Sequence, residues 1–506
     1  MFVRQKKNRT GTISVQVIDK SSGKYKVIHT AGSSGDNSTI NELVDQAHRY
    51  IKKLKGQYEL DFFSGNDEQY YESVYENIKQ VQLMGPELVL GKIKIFDEIG
   101  FNAIADAMFR HLVITRLVYP VSKLKTLDYL QKHKGVTYEK DEVYRYLDKL
   151  HGQQIQLVQQ ISFKHTLTIL GNSLTIVFYD VTTLYFEAEE EDDLRQAGFS
   201  KDGKHQQPQI LLGLLVSESG YPLDYGIFEG SKFEGHTMLP VAEAFKAKYQ
   251  IKELVIVADA GLMSEKNIRQ LTENRYKYII GARIKNENHL VQEQILSLRL
   301  GDKESTELRK EEGQRLVISY SASRAKKDAH NRTRGLTKLE KQLEKGKLSK
   351  KHINNKGYNK YLKLEGEIKI SIDYEQSKAD EKWDGLKGYI TNTSIAKEEI
   401  IEQYRELWNI EKTFRISKSD LRIRPVYHYR KRRIEAHICI AFAACKVYKE
   451  LERRLKMKKS KLSPEKVIDI LKTIHAITLT LPQSKEKKLM LLDKTDEQKM
   501  VLSLFK

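Results

Sequence analysis

Two aspartates and one glutamate, distant from each other in the chain, have the surroundings best suited to chemistry. Asp180 follows Ser173-Leu-Thr-Ile-Val-Phe-Tyr179, and Asp259 follows Glu253-Leu-Val-Ile-Val-Ala258, so each is expected at the end of a buried strand. Glu411 lies in a stretch free of glycine and proline, Tyr404 to Lys418. Helical spacing of about 100° per residue there puts Tyr404, Trp408, Glu411, Arg415 and Lys418 on one stripe. Leu407, Ile410, Phe414 and Leu421 form an apolar stripe beside it. A carboxylate among aromatic and cationic neighbours is unusual for a solvated face, where alternating Glu and Lys is the norm. Three hard oxygen donors at a sheet rim suit Mg²⁺ or Mn²⁺. Two such ions about 3.5–4 Å apart activate a water or a 3′-hydroxyl for phosphodiester substitution. Taken singly, either aspartate is equally explained as a turn or capping residue.

The elements that must position these groups alternate in kind. Thr12–Ile18 and Tyr25–Ile28 flank Ser-Ser-Gly and read as a hairpin, followed by helical patterns from Ser38 to about Lys55 and from Gly85 to Glu98. Residues 101–151 read as three short amphipathic helices, which suit either a helix-turn-helix DNA-binding unit or a plain supporting bundle. Three strands then follow, near 173–179, 210–216 and 223–228. After them come a helix near 238–249, a strand near 253–258, a helix near 264–273 and a strand near 276–280. This order is α/β, a class whose mixed sheets carry active groups at strand ends. Strand-like pieces at 316–320, 368–374 and 388–391 bracket a strongly basic section, Arg324 to Lys363. It reads either as a solvated helix or arm or as an insertion gripping a phosphate backbone, the second being preferred. The expected divisions are 1–100 (hairpin and helices), 101–165 (helical, DNA-binding), 166–285 (core, first part), 286–395 (basic insertion with strands), 396–450 (acidic helix and the next) and 451–506 (basic helical tail).

Composition narrows the partners. Lys and Arg outnumber Asp and Glu by 87 to 68 in 506 residues, a formal charge of +19, which favours a polyanion. The basic start, Met1 to Thr10, lacks the apolar run of a secretion signal, and no apolar stretch approaches a membrane span of about 20 residues, so nucleic acid is preferred over membrane. Cys439 and Cys445 share one apolar run and no CxxC spacing, and read as buried thiols in a reducing, cytoplasmic setting rather than zinc ligands.

Taken together, these blocks resemble the DDE transposases of bacterial insertion sequences, in the group marked by a Tyr-Arg-Glu-Lys signature. Tyr404, Glu411 and Lys418 match that signature, and its arginine position holds Leu407, with Arg405 and Arg415 nearby. Asp180-Val-Thr182 is similar to the first acidic motif and Asp259-Ala-Gly-Leu-Met-Ser264 to the second. Phe199–Lys204 and Gly230–Thr237 resemble further family segments, and the resemblance spans roughly residues 85 to 450. It implies an RNase H-like core with the basic segment inserted before the glutamate helix. It also implies two Mg²⁺ ions, replaceable by Mn²⁺, on Asp180, Asp259 and Glu411. Tyr404 and Lys418 would contact DNA near the cut strand, with Lys201, Lys204, Arg415, Arg422 and Arg424 as further candidate contacts. For Arg422 and Arg424, ordinary surface charge is an equal alternative. The N-terminal part would recognise terminal inverted repeats, and a homodimer or larger multimer would join the freed ends to target DNA in the bacterial cytosol or nucleoid.

Competing readings are few. Gly85–Lys92 has the wrong spacing for a phosphate loop, and Glu187–Asp193 lacks the ligand pattern of a calcium loop. Trp408 reads as packing more readily than as a base-stacking platform. A non-catalytic DNA-binding descendant of a transposase and a structure-selective nuclease remain as alternative functions.

Overall fold

The computed structural model describes residues 1–21, 23–54, 75, 77–187, 190–199, 203, 206–262, 264–354, 357–365, 369–424, 426–480 and 486–506. The chain divides into two units, one of residues 1–79 with 478–488 and one of residues 80–477 with 489–506.

In the smaller unit, β1 (Phe2–Lys7), β2 (Ile13–Asp19) and β3 (Lys26–Ser34) form an antiparallel meander. β2 and β3 are the expected hairpin; β1 is an additional edge strand. Helix α1 (Asn37–Leu54) closes a small core of Val15, Val17, Ile40, Ala47 and Ile51.

In the larger unit, short helices Gly85–Val89 and Ile95–Ile99 precede α2 (Ala107–Val118), α3 (Lys123–Lys134), α4 (Lys140–Lys149) and α5 (Ile155–Ile169). α2 is not amphipathic: residues 111–118 are buried without a break, as in a helix surrounded by core. Next come β4 (Ile176–Tyr185), β5 (Gln209–Ser217), β6 (Pro222–Glu229), α6 (Met238–Tyr249), β7 (Val255–Ala258), α7 (Glu265–Glu273) and β8 (Lys277–Ala282). β9 (Ser305–Arg309), β10 (Arg315–Tyr320), α8 (Ala322–Glu344), β11 (Leu362–Glu365), β12 (Lys369–Ile372) and β13 (Leu386–Thr391) follow. The chain continues through α9 (Lys397–Arg405), α10 (Trp408–Arg415), α11 (Lys431–Met457), α12 (Pro464–Leu471) and α13 (Asp496–Ser503).

Eight strands form one sheet in the order β9-β10-β13-β8-β7-β4-β5-β6. β4, β7 and β8 run parallel, and the strands on both flanks are antiparallel. Period-two alternation along β4 divides the core: Ile176 and Phe178 face the cluster containing α9 to α11, while Val177, Tyr179 and Val181 face α6 and α7. The expected separate insertion is therefore only partly separate. Its strands β9, β10 and β13 extend the main sheet, whereas α8, β11 and β12 share a satellite core of Leu339, Tyr361, Leu362 and Ile372. The first part of the basic section, to Glu344, lies in helix α8, and its Arg332 pairs bidentately with Asp384 at 2.5 and 2.7 Å.

Two further expectations need correction. The tail is not helical throughout, because strands His475–Thr480 and Lys487–Leu491 interrupt it. The stretch from Tyr404 to Lys418 is not one regular helix. Between α9 and α10 the bonding tightens to i→i+3, with Leu407 N–H donating to Tyr404 O at 3.3 Å and Asn409 N–H to Glu406 O at 2.8 Å, and after α10 it widens into a π turn over Ile416–Asp420. The change of pitch splits the expected stripe: Tyr404 is 7% exposed and Trp408 50%.

Candidate active site

Asp180 is not at a strand end, as its spacing suggested, because the β-branched and apolar run Val181-Thr-Thr-Leu-Tyr185 continues β4 past it. The neighbouring strand β7 does end there. Tyr179 pairs with Ala258 in the parallel register, so the next residues, Asp180 and Asp259, stand side by side. By alternation Asp180 shares the face of Phe178, the side covered by α10, which packs on β4. Asp180 is half-buried, and its Oδ1 accepts from Val181 N–H at 2.7 Å. Asp259 is exposed, and its Oδ1 accepts from the Gly261 and Leu262 amides at 2.8 and 3.3 Å. A Cβ at residue 261 would lie 2.9 Å from that oxygen and would push the Asp259 carboxylate aside.

Tyr404 is an internal brace rather than a surface contact. α9 packs on β7 and β8, and Tyr404 accepts a hydrogen bond from the Ala260 amide, next to Asp259. Burial, followed by the charge of Asp259, raises its phenol pKa. Gly281 on β8 makes room: a Cβ there would meet the Tyr404 hydroxyl at 2.3 Å.

Glu411 is exposed on α10, opposite a firmly held back face. Leu407, Ile410 and Phe414 are 7%, 1% and 6% exposed, so the leucine at the signature's arginine position packs in the core. Lys412 pairs with Glu452 of α11, which also accepts from Lys449 Nζ at 2.6 Å. Burial pushes the Glu452 carboxyl up, but these two bonds outweigh it and hold its pKa at about 2.

A cation that the sequence did not flag lies beside these groups. Lys387 on β13 sits with its Nζ 4.2 Å from the Tyr404 ring centre and 5.6 Å from that of Tyr389. Burial lowers its pKa to about 8, with Arg324 and Arg405 reinforcing the fall and Glu411 opposing it. Lys387, Arg324 and Tyr404 line a cleft of about 350 Å³ together with Ala260 and Arg283. Nothing local marks Lys387 in Gly-Leu-Lys-Gly; only the pairing of β13 with β8 brings it here.

The other expected residues are more dispersed. Trp408 is half exposed, with Lys412 Nζ 5.9 Å from its ring centre, so it is not packed in the core. Arg415 and Arg422 are exposed, Lys418 and Arg424 half-buried, and the Arg424 guanidinium lies 5.6 Å from the Tyr185 ring centre. Lys201 and Lys204 fall outside the described residues. Asp192 accepts from the Leu194 and Arg195 amides, so that part of the acidic loop is a turn. Cys439 and Cys445 are buried, their thiols pushed up to about 12 and about 11 by burial. Among the described residues, no group of three or more His, Cys, Asp or Glu is gathered closely enough to hold a metal, and no helix is long and apolar enough to cross a membrane. Asp180, Asp259 and Glu411 are hard oxygen donors of the type Mg²⁺ or Mn²⁺ takes, with Asp180 and Asp259 abreast and Glu411 on the helix above β4, but as placed they do not close into such a group.

The model of the family described as "Transposase DDE domain" matches residues 171–445, more than half of the chain. The chain belongs to the DDE transposase family. In this transposase the strand series β6-β5-β4-β7-β8, three antiparallel and then two parallel, has the order and directions expected of the RNase H-like core that the resemblance implied. Among solved structures, it resembles a piggyBac transposase synaptic complex with hairpin DNA at 10% identity, covering 77% of this chain and 79% of that one, TM-score 0.38. A Mos1 transposase paired-end complex with the left transposon end matches at 10% identity over 46% and 66%, TM-score 0.16. A Mos1 mariner paired-end complex with Mn matches at 11% over 46% and 67%, TM-score 0.15. These overlaps are too loose to transfer residue roles to the transposase. No curated protein matches it.

Proposed function

We propose that this transposase cleaves DNA at the ends of its element and joins the freed 3′-hydroxyls to target DNA, acting within a multimer. The observation that carries the reading is the placement of Asp180 and Asp259 abreast, under the helix that bears Glu411. These three carboxylates would hold Mg²⁺ or Mn²⁺, which supplies Lewis-acid neutralisation of phosphoryl oxygens and acidifies a bound water.

The chain's own groups do the positioning. The Gly261 and Leu262 amides fix one oxygen of Asp259, and Tyr404 braces the same turn from below. Lys387, Arg324 and Arg405 give the adjoining cleft a positive wall for the phosphate being cut. In the cleavage step the oxygen of water bonds to phosphorus while the P–O3′ bond breaks and the 3′ oxygen takes up a proton. In joining, that 3′ oxygen bonds to a target phosphorus and displaces the target's own 3′ oxygen, so one phosphodiester replaces another.

The test is incubation of the full chain with Mg²⁺ and a plasmid carrying its gene and flanking DNA. Double-end cuts and joined products in a defined complex support the proposal. Specific binding without cutting would instead indicate a non-catalytic descendant, and cutting without joining a nuclease.

Lys387 gives the reaction a pH signature. With its pKa about 8, its charge is lost as pH rises through that value, and a bound phosphate moves the window upward. DNA affinity measured by fluorescence anisotropy in EDTA is expected to fall several-fold between neutral pH and pH 9 or above, on the scale of one phosphate contact. In Lys387→Met that pH-dependent part should be gone, and in Lys387→Arg affinity should stay high throughout. A wild-type pH profile in Lys387→Met would remove this residue from the DNA path.

A further inference from the structure

We propose a second, non-catalytic oxyanion site that holds a DNA backbone phosphate, in the cleft between the α2–α3 turn and the segment from Leu421 to His437. The cleft has a volume of about 560 Å³, and Arg116, Lys123, Arg422, Arg424, His428 and His437 line it with no Asp or Glu among the described residues. Lys123 is 6% exposed and, among the described residues, has no hydrogen-bond or ion-pair partner. Arg116 is 5% exposed and, among the described residues, its hydrogen bonds go to the carbonyls of Leu421 and Arg422, at 3.5 and 3.2 Å. Carbonyls satisfy donors but leave a charge uncompensated. Burial, reinforced by Arg116, pushes the Lys123 pKa well down, so a bound anion is what would keep both groups charged in this cleft. The surroundings are uniformly electropositive: burial, then Lys123 and other cations, lowers the pKa of both histidines, that of His428 to about 3.

Two features make this a built site. Lys123 is the first residue of the twelve-residue helix α3, capped by Ser122, whose side chain accepts from the Lys125 amide, so the positive end of the helix opens on the cleft. The opposite wall is tied to the catalytic strand. Phe186, just past β4, bridges to Val426, and Val426 N–H donates to Tyr185 O at 3.4 Å. That wall is therefore anchored at Tyr185, roughly 17 Å along β4 from Asp180 at about 3.3 Å per residue.

DNA is the source favoured over a free anion. Arg424 and the 59% exposed Tyr427 carry the lining out to the surface, in a chain of charge +19. The oxyanion site stands on its own residues. Only the identity of the polymer rests on the transposase reading.

The test uses the full chain in EDTA, where cleavage plays no part, with Lys123→Met and Arg424→Gln as variants and Lys123→Arg as the charge-keeping control. Thermal melting is followed against inorganic phosphate, and affinity for a short random-sequence duplex against salt. Expected are a phosphate-induced rise in Tm for wild type and Lys123→Arg that Lys123→Met lacks, and a salt slope lower by about 0.9 in Lys123→Met and in Arg424→Gln, as for one lost phosphate contact. Loss of the phosphate shift with an unchanged slope would mean a free-anion site and overturn the DNA assignment. Both readouts unchanged would overturn the site itself. Should Lys123→Met not fold, the slope of Arg424→Gln decides. A chain that binds in this way in EDTA but never cuts in Mg²⁺ would refute the catalytic reading and leave this site intact.

Discussion

Asp180→Asn is expected to lower metal-dependent strand cleavage on the order of 10³-fold while leaving the protein folded and binding DNA. Metal neutralisation of phosphoryl charge contributes several kcal/mol to such a transition state, and about 1.4 kcal/mol corresponds to a factor of ten. The loss comes from the donor rather than the shape, since the amide fills the same half-buried place on β4 and keeps an oxygen for the Val181 amide. In EDTA the variant should be as stable as wild type or slightly more so, because Asp180 and Asp259 stand abreast as like charges without a metal. The increase in Tm that Mn²⁺ produces in wild type should shrink or vanish, a readout independent of turnover. Asp259→Asn should behave similarly, and Asp259→Ala should in addition loosen the turn whose Gly261 and Leu262 amides it caps. Glu411→Gln is exposed and should cost rate without stability. Cleavage at the wild-type rate in Asp180→Asn, together with an unchanged Mn²⁺ shift, would show that the metal is held elsewhere.

Cationic character around the site has been redistributed. Leu407 occupies the signature's arginine position and is packed at 7% exposure, which leaves the face of Glu411 without that charge. Lys387 comes to the same neighbourhood from the far side of the sheet, over the ring of Tyr404, with Arg405 and Arg324 at its flanks. Tyr404 thereby serves two roles, as a brace under the Asp259 turn and as an aromatic floor for a cation.

Local patterns in the sequence carried much of this fold. Apolar β-rich runs bounded by turn residues identified β4 to β8 in order, and α6 fell within its expected limits, because buried strands and caps are written in neighbouring residues. Where β4 stops was not legible: an aspartate reads as a terminator, yet here it sits at the edge of a shorter parallel neighbour, and register is a property of two strands. Tyr404 was misjudged for a related reason. A 100° wheel assumes constant pitch, and one i→i+3 turn followed by a π turn moves Tyr404 inside while leaving Glu411 outside. Lys387 and the Arg116–Lys123 pair were hidden because their neighbours arrive from segments far away in the chain. The buried Arg116 lies in a helix read as amphipathic, which the fold instead surrounds with core.

Glu452→Gln is expected to destabilise the larger unit by about 3–5 kcal/mol, the scale of breaking a buried ion pair from one side. Glu452 and Lys449 are 7% and 4% exposed, and the same carboxylate also receives Lys412 from α10. Removing it leaves Lys449 charged in the interior and frees the back of the helix that presents Glu411. With a folded pKa near 2 against 4.5 for the free side chain, the carboxylate's contribution is fully present above about pH 4.5 and is lost as pH falls toward 2. The gap between wild type and Glu452→Gln in urea unfolding should therefore be wide at pH 7 and narrow toward pH 3. Turnover should fall as well, with hydrogen exchange speeding up in α10 but not in α6 on the opposite face. A triple variant, Lys412→Met, Lys449→Met and Glu452→Met, separates charge from anchoring. If the pair matters mainly by fixing α10, the apolar replacement should recover part of both stability and rate. A gap that does not narrow with falling pH would show that Glu452 stabilises the helix pair through packing rather than through its charge.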